Sequence, residues 1–343
     1  MSWALFLLAT LAAFGLTGLL RRYALQRSLL DKPNARSSHT VATPRGGGMA
    51  FVLVFLSLLL VLLLCAALES DLMIALLGAG GGVAALGFAD DHGHIAARWR
   101  LLGHFVAAAW SLFWLGGLPP VVLFGVPFDL GWVGHVLAAV FLVWLLNLYN
   151  FMDGIDGIAA VQAICAGGGA VLCYAAVDAG AFTLMAGGAS ELLLTCAVLG
   201  FLFWNFPRAR IFMGDVGSGF LGIVIGILVL QATWQHPQLL WSWLILLGVF
   251  IVDATFTLFH RLLRGEAVYQ AHRSHAYQVA ARRVGRHAPV TVAVGLIVVV
   301  WLLPWAVGVA LGGIDGATAM LIAYVPLLCL CIWFDAGAAE PGG

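Results

Sequence analysis

About eleven apolar runs divide this chain, at residues 3–20, 48–68, 72–89, 101–118, 132–149, 158–177, 189–204, 218–234, 239–259, 288–310 and 317–334. Most are long enough to cross the roughly 30 Å hydrocarbon core of a bilayer as helices. Lipid offers backbone N–H and C=O groups no partner, so a chain of this kind must satisfy them inside its own helices. The expected fold is therefore all-α, a polytopic integral membrane helix bundle of about 11 transmembrane helices forming one domain over residues 1–343. Composition points the same way: 63% of residues are hydrophobic and only 9% charged, against roughly 25% charged in soluble domains. A soluble enzyme is excluded, and no nucleic acid partner is expected.

The connections between runs alternate between two sets. One holds residues 21–47, 90–100, 150–157, 205–217, 260–287 and the C-terminus; the other holds 69–71, 119–131, 178–188, 235–238 and 311–316. All 16 Lys and Arg lie in the first set. By the positive-inside rule that set is cytoplasmic, which puts the N-terminus on the periplasmic side and the C-terminus in the cytoplasm. The far side carries Glu69, Asp71, Asp129, Asp178, Glu191 and Asp315, and Trp114, Trp132, Trp234, Trp241 and Trp305 near the outer ends suit an interfacial belt. The first run has no basic stretch before it and no small-residue cleavage site after it, so it is expected to be a retained span. The six cysteines fall in apolar segments without a CxxC and are expected to be packing residues.

The same sorting gathers the chemistry, because five of the basic-side loops hold nearly all remaining acids and imidazoles. In residues 31–48, Arg36, Ser37, Ser38, His39, Thr43, Arg45 and three glycines suit a phosphate cradle of backbone N–H groups and guanidinium forks. In residues 87–100, adjacent Asp90 and Asp91 at a span end ask for a cation, either Mg²⁺ or an arginine such as Arg98 or Arg100, with His92 and His94 nearby.

The third loop, "NFMDGIDG", places Asn150 beside Asp153 and Asp156, which share one face if the next helix begins near residue 153. In the fourth, Asp215 stands among Gly214, Gly217, Ser218 and Gly219 as a span begins, an arrangement for a hard cation plus phosphate at a helix N-terminus. In the fifth, His272 and His275 share a face if the loop is helical, and with Arg261 and Arg273 they read as partners for anions; no cysteine is there to complete a zinc site. Asp253, inside the ninth run, calls for a partner such as His260 or Arg261. Oxygen ligands, histidines and arginines on one face of a bundle specify a site for a metal-bound phosphate compound.

Taken in order, "DKPNARSSHTVATPRGGG", "GFADDHGHIAARWRLLGH", "NFMDGIDG", "FPRARIFMGDVGSGFLG" and "AHRSHAYQ" resemble the polyprenyl-phosphate N-acetylhexosamine-1-phosphate transferases. The resemblance spans residues 31–278 and implies transfer of a sugar 1-phosphate from a UDP-N-acetylhexosamine to undecaprenyl phosphate, with release of UMP. It implies a Mg²⁺ cofactor, replaceable by Mn²⁺, in a multi-pass protein of the bacterial inner membrane whose active site faces the cytoplasm and whose relatives are often homodimers.

Carried over by motif, Asp215 is a metal ligand and Asn150 a second ligand or pyrophosphate contact. Asp90 and Asp91 stand near the lipid phosphate, Asp153 and Asp156 shape the nucleotide site, and Phe212 stacks on uracil. His272, His275 and Arg45 hold phosphates or sugar, with Arg98, Arg273 and Ser218 as further substrate contacts. The peptidoglycan branch carries three consecutive histidines in its last cytoplasmic loop, whereas this chain has His272, Arg273, Ser274, His275. That departure favours the O-antigen-initiating branch, which takes FucNAc, QuiNAc or GlcNAc donors, over the phospho-MurNAc-pentapeptide transferase. A Mg-dependent membrane prenyltransferase would lack the basic first loop and the HxxH loop. An ion-coupled transporter would place its acids near midplane between repeats, and only Asp253 is so placed.

Overall fold

The computed structural model describes residues 3–31, 41–64, 69–93, 95–177, 187–266 and 272–338. It is a helical bundle: α1 Ala4–Gln26, α2 Gly48–Leu64, α3 Ser70–Gly93, α4 Ala97–Leu115, α5 Gly131–Met152, α6 Ile158–Val177, α7 Ala189–Asn205, α8 Asp215–Gln235, α9 Leu239–Leu246, α10 Gly248–Leu263, α11 Ala276–Val284, α12 Ala288–Ala310 and α13 Gly316–Trp333. Among the described residues seven helices are long and apolar enough to cross a membrane, or eight if α9 and α10, bent by 69° at Leu247, form one broken span. Helices α2 and α7 are apolar but shorter, and α4 carries Arg98 and Arg100 in its first turn. Each apolar run of the sequence thus coincides with helix over most of its described residues. The regularity is broken by π-helical turns at Leu76–Gly80 in α3 and Ile297–Leu302 in α12.

Two small antiparallel pairs depart from a purely helical reading. Leu30–Asp31 (β1) pairs with Thr43–Pro44 (β2), and Val121–Leu123 (β3) pairs with Val126–Phe128 (β4). The first closes the loop between α1 and α2 and delivers both Asp31 and Arg45 to the same end of the bundle.

Helix α8 is the axis of the molecule. Every residue from Val216 to Thr233 is buried, and α2, α3, α4, α5, α6 and α9 all pack on it. Close approach explains how so many neighbours fit, since small residues let backbones meet where lipid supplies no hydrophobic drive. A Cβ on Gly222 would stand 2.5 Å from Leu146 Cα, and one on Gly48 would stand 2.5 Å from Gly217 Cα. The N-terminal half of α8 is thereby fixed against α2 and α5, and its first residue is Asp215.

Candidate active site

Five loops meet at the end of the bundle where α8 begins. The α7–α8 connection is held against the loop before α2 by three backbone bonds: Phe212 N–H donates to Pro44 O, Gly47 N–H to Phe212 O, and Gly48 N–H to Met213 O, all at 2.8–2.9 Å. Asn205 ties in the third loop, its Oδ1 accepting from Gly157 N–H and its Nδ2 donating to Ile211 O, both at 2.9 Å. The fifth loop joins through Tyr277, whose hydroxyl donates to Phe151 O at 2.9 Å. Enclosed among them is a cavity of about 260 Å³ lined by Asp31, Arg45, Asp91, Asn150, Asp153, Gly154, Ile155, Asp156, Asn205, Phe212, Met213, Gly214, Asp215, Ser218, Gln278 and His287.

The carboxylates in it are positioned by distinct devices. Asp91, at the end of α3, turns its side chain onto the first turn of α8, where Asp215 N–H and Val216 N–H each approach it at 3.4 Å. Backbone amides at a helix start favour negative charge. A Cβ on Gly87 would lie 2.7 Å from the Asp215 and Val216 backbone, so only glycine allows α3 this close. Arg45 donates to the Asp91 backbone carbonyl. Asp215 accepts from Asn150 Nδ2 at 2.9 Å, and the same amide reaches Ser218 Oγ at 3.1 Å. Arg100 stands 3.5 Å from the other oxygen of Asp215 and 2.5 Å from Asp90 Oδ2.

Asp153 follows the last residue of α5, and Asp156 lies in the short turn before α6. The expectation that both sit on a helix N-terminal face is corrected: the chain leaves helical geometry at Asp153, turns through Gly157 at φ +77°, and resumes only at Ile158. Burial, with the charges of Asp215, Asp91 and Asp156 added to it, pushes the Asp153 carboxyl well above the usual range. Asp156 faces His287, with Oδ1 and Nδ1 3.3 Å apart.

The histidine pair is organised differently from the helical expectation. The segment before Ala276 is irregular, and His275 is the N-cap of α11, closing a capping box with Gln278. Asp253, expected to pair with His260 or Arg261, instead serves His275. Its Oδ1 lies 3.2 Å from His275 Nδ1 and accepts Ala276 N–H at 2.9 Å, and its Oδ2 accepts Tyr277 N–H at 3.0 Å. His260 contacts Ala336 O at 2.8 Å and Arg261 pairs with Glu266 at 3.2 Å. The physical reason is the helix start: two free amides and an imidazole offer a buried carboxylate more than a single side chain does. The His272 ring lies tilted beside His275, centroids 4.8 Å apart, and burial together with His275 and Arg261 pushes its imidazole down to about 3.

Residues 73–233, which run from α3 to the end of α8 and include Asp91, Asn150, Asp153 and Asp215, match the model of glycosyl transferase family 4. A probable undecaprenyl-phosphate N-acetylglucosaminyl 1-phosphate transferase of Bacillus subtilis is 30% identical over 279 residues, covering 79% of this chain and 75% of that protein. The chain belongs to this family. An undecaprenyl-phosphate alpha-N-acetylglucosaminyl 1-phosphate transferase of Thermotoga maritima is 24% identical over 94% of this chain and 93% of its own length. A phospho-N-acetylmuramoyl-pentapeptide-transferase of Bacillus licheniformis is 29% identical over 68% of this chain and 73% of its own.

Within this glycosyl transferase family 4 chain, the structure brings together nine of the residues singled out in the sequence. Arg45, Asp91, Asn150, Asp153, Asp156, Phe212, Asp215 and Ser218 line the cavity, and Asp90 stands outside it, linked to the cavity residue Asp215 by Arg100. His272, His275 and Arg273 do not line it. Arg98 lies over the Trp99 ring at 5.7 Å, while Arg100, two residues on and on another face of the helix, reaches the acids. Arg36, Ser37, Ser38, His39 and His94 fall outside the described residues.

Sequence reasoning passed over Asp31, Asn205, Gln278 and His287 as site residues. Asp31 and Gln278 stood inside the quoted motifs, and Asn205, a lone amide at the end of an apolar run, carried the readable signal. Among the described residues no three His, Cys, Asp or Glu side chains converge on one point as a closed metal cage. The donors nonetheless fit a magnesium ion, which takes one or two carboxylates and keeps its other positions for water and substrate phosphate. Asp215 and Ser218 supply hard oxygens beside the Asn150 amide, and the crowding that drives Asp153 toward its neutral form marks a surplus of negative charge.

Proposed function

We propose that this protein transfers an N-acetylhexosamine 1-phosphate from a UDP-sugar to undecaprenyl phosphate and releases UMP. The observation that carries the reading is the convergence of Asp91, Asp153 and Asp215, from three separate helix ends, on one cavity with Arg45, Asn150 and Phe212. The names of the bacterial relatives supply the substrate class. The donor is of the GlcNAc, FucNAc or QuiNAc type and the product begins an O-antigen or related surface glycan, a reading supported by the HRSH spacing of the fifth loop. The chain spans the inner membrane about 11 times, N-terminus periplasmic, with the cavity at the cytoplasmic face; the basic residues at that end support this orientation.

A phosphate monoester is largely dianionic near pH 7, so the lipid phosphate needs no strong base. One of its oxygens attacks the sugar-bearing phosphorus in line. The new P–O bond forms as the bond from that phosphorus to the bridging oxygen breaks, and UMP leaves with the bridging oxygen. Arg45 holds pyrophosphate charge, Phe212 stacks on the uracil, and Asp91 orients the acceptor at the start of α8. Asp215 and Asn150 would hold Mg²⁺, which would neutralise diphosphate charge and stabilise the departing UMP. The histidine loop acts through position: Asp253 fixes His275 and α11, and Tyr277 fixes the backbone at Phe151 beside Asp153.

The test is product formation by purified protein given undecaprenyl phosphate, Mg²⁺ and a panel of UDP-sugars. A lipid-linked N-acetylhexosamine, with no product from the UDP-muramoyl pentapeptide, is expected. Product only from the pentapeptide donor would move the chain to the peptidoglycan branch. At a chiral donor phosphorus the single displacement inverts configuration, and retention would require a covalent enzyme intermediate.

A further inference from the structure

Asp90 and Asp91 are neighbours in sequence with different surroundings. Asp91 lines the main cavity. Asp90 is shut away from it, with a side chain only 8% exposed and both oxygens engaged: Oδ1 accepts Ile95 N–H at 2.6 Å and Oδ2 meets Arg100 at 2.5 Å. Arg100 is 37% exposed and stands between two acids, because its Nη1 also lies 3.5 Å from Asp215 Oδ2. Asp215 therefore has one oxygen on the Asn150 amide and the other facing a guanidinium. A second, smaller hollow of about 50 Å³, lined by Asp90, Arg100, His104, Asn147, Asn150 and Asp215 among others, gives that guanidinium room to move.

We propose that Arg100 is an internal counter-ion that occupies Asp215 Oδ2 in the cation-free protein and gives it up to the divalent ion, while Asp90 keeps hold of the displaced guanidinium. This rests on the reading of Asp215 as a metal ligand. A unit positive charge within about 4 Å of a carboxylate is a strong competitor for a cation wherever water is partly excluded. A carboxylate left alone among Asp91 and Asp153 would be costly. The arrangement meets both demands: Asp215 is paired when the ion is absent, and Asp90 lowers the cost of releasing Arg100 when it arrives. Asp90 is then a positioning residue, and the two members of the aspartate pair have separate tasks.

The test is Mn²⁺ binding to purified full-length protein in detergent, followed by electron paramagnetic resonance of free Mn²⁺. Arg100→Gln is expected to tighten Mn²⁺ about tenfold, and Arg100→Met the same should the glutamine variant misfold. Asp90→Asn leaves the guanidinium wholly on Asp215 and is expected to weaken Mn²⁺ several-fold, and that loss should vanish in the Asp90→Asn/Arg100→Gln double variant. A simple field effect of Asp90 would instead persist unchanged in the double variant, and such additivity would overturn the proposal. So would unchanged or weaker binding in Arg100→Gln. Asp215→Asn separates the two levels: if it binds Mn²⁺ like the parent chain, the metal reading itself fails. If it loses Mn²⁺ while Arg100→Gln gains nothing, the counter-ion role alone fails.

Discussion

At the residue scale, environment decides what each acid and imidazole does. Asp153 has its carboxyl pushed well up by burial and three neighbouring acids. A group raised in the folded protein binds protons there that the unfolded chain has released, so its contribution to stability is lost as pH rises through the folded value. At neutral pH Asp153 therefore opposes folding of the cation-free protein, and Asp153→Asn is expected to raise the unfolding temperature while lowering turnover. A lower unfolding temperature would contradict this. His272 behaves in the opposite sense. Its imidazole is held down to about 3, so the unfolded chain takes up a proton below about pH 6.5 that the folded chain refuses. Its share of stability is present above that pH and declines as pH falls toward 3. The parent protein should lose more thermal stability between pH 7.5 and 4.5 than His272→Asn does, measured by unfolding at each pH.

At the scale of elements, the site depends on how closely α3 and α2 approach the start of α8. A Cβ on Gly87 would stand 2.7 Å from the Asp215 backbone, which leaves no room for a methyl group. Gly87→Ala is expected to force the helices apart, at about 1–3 kcal/mol, and to lower both thermal stability and activity by displacing Asp91 from α8. The apolar runs, the start of α8 at Asp215 and the gathering of polar loops were legible in the sequence, because span length and loop charge are one-dimensional signals. Partnerships across the fold were not. Asp253 joins His275, 22 residues on, because the chain bends by 69° between α9 and α10 and α11 packs against α10. Periodicity does not reveal that bend. The same holds for Arg100: spacing alone did not choose between it and Arg98, since the rotation of α4 decides which faces the acids. His287 and Gln278 enter the cavity only because α11 and α12 fold back beneath the third loop.

At the scale of the whole molecule, a charge asymmetry in the sequence becomes a functional polarity. The cavity is assembled from five loops of the basic set. With that set in the cytoplasm, a cysteine placed at Arg208 should be shielded in intact cells from a membrane-impermeant maleimide, whereas one at Asp129 should be labelled. The reverse pattern would invert the proposed topology. The most direct test of the convergent carboxylate site is UMP release by purified protein supplied with undecaprenyl phosphate, Mg²⁺ and its UDP-N-acetylhexosamine, compared with Asp215→Asn of unchanged unfolding temperature. A fall of at least about a hundredfold is expected; release within about threefold of the parent protein would contradict the account.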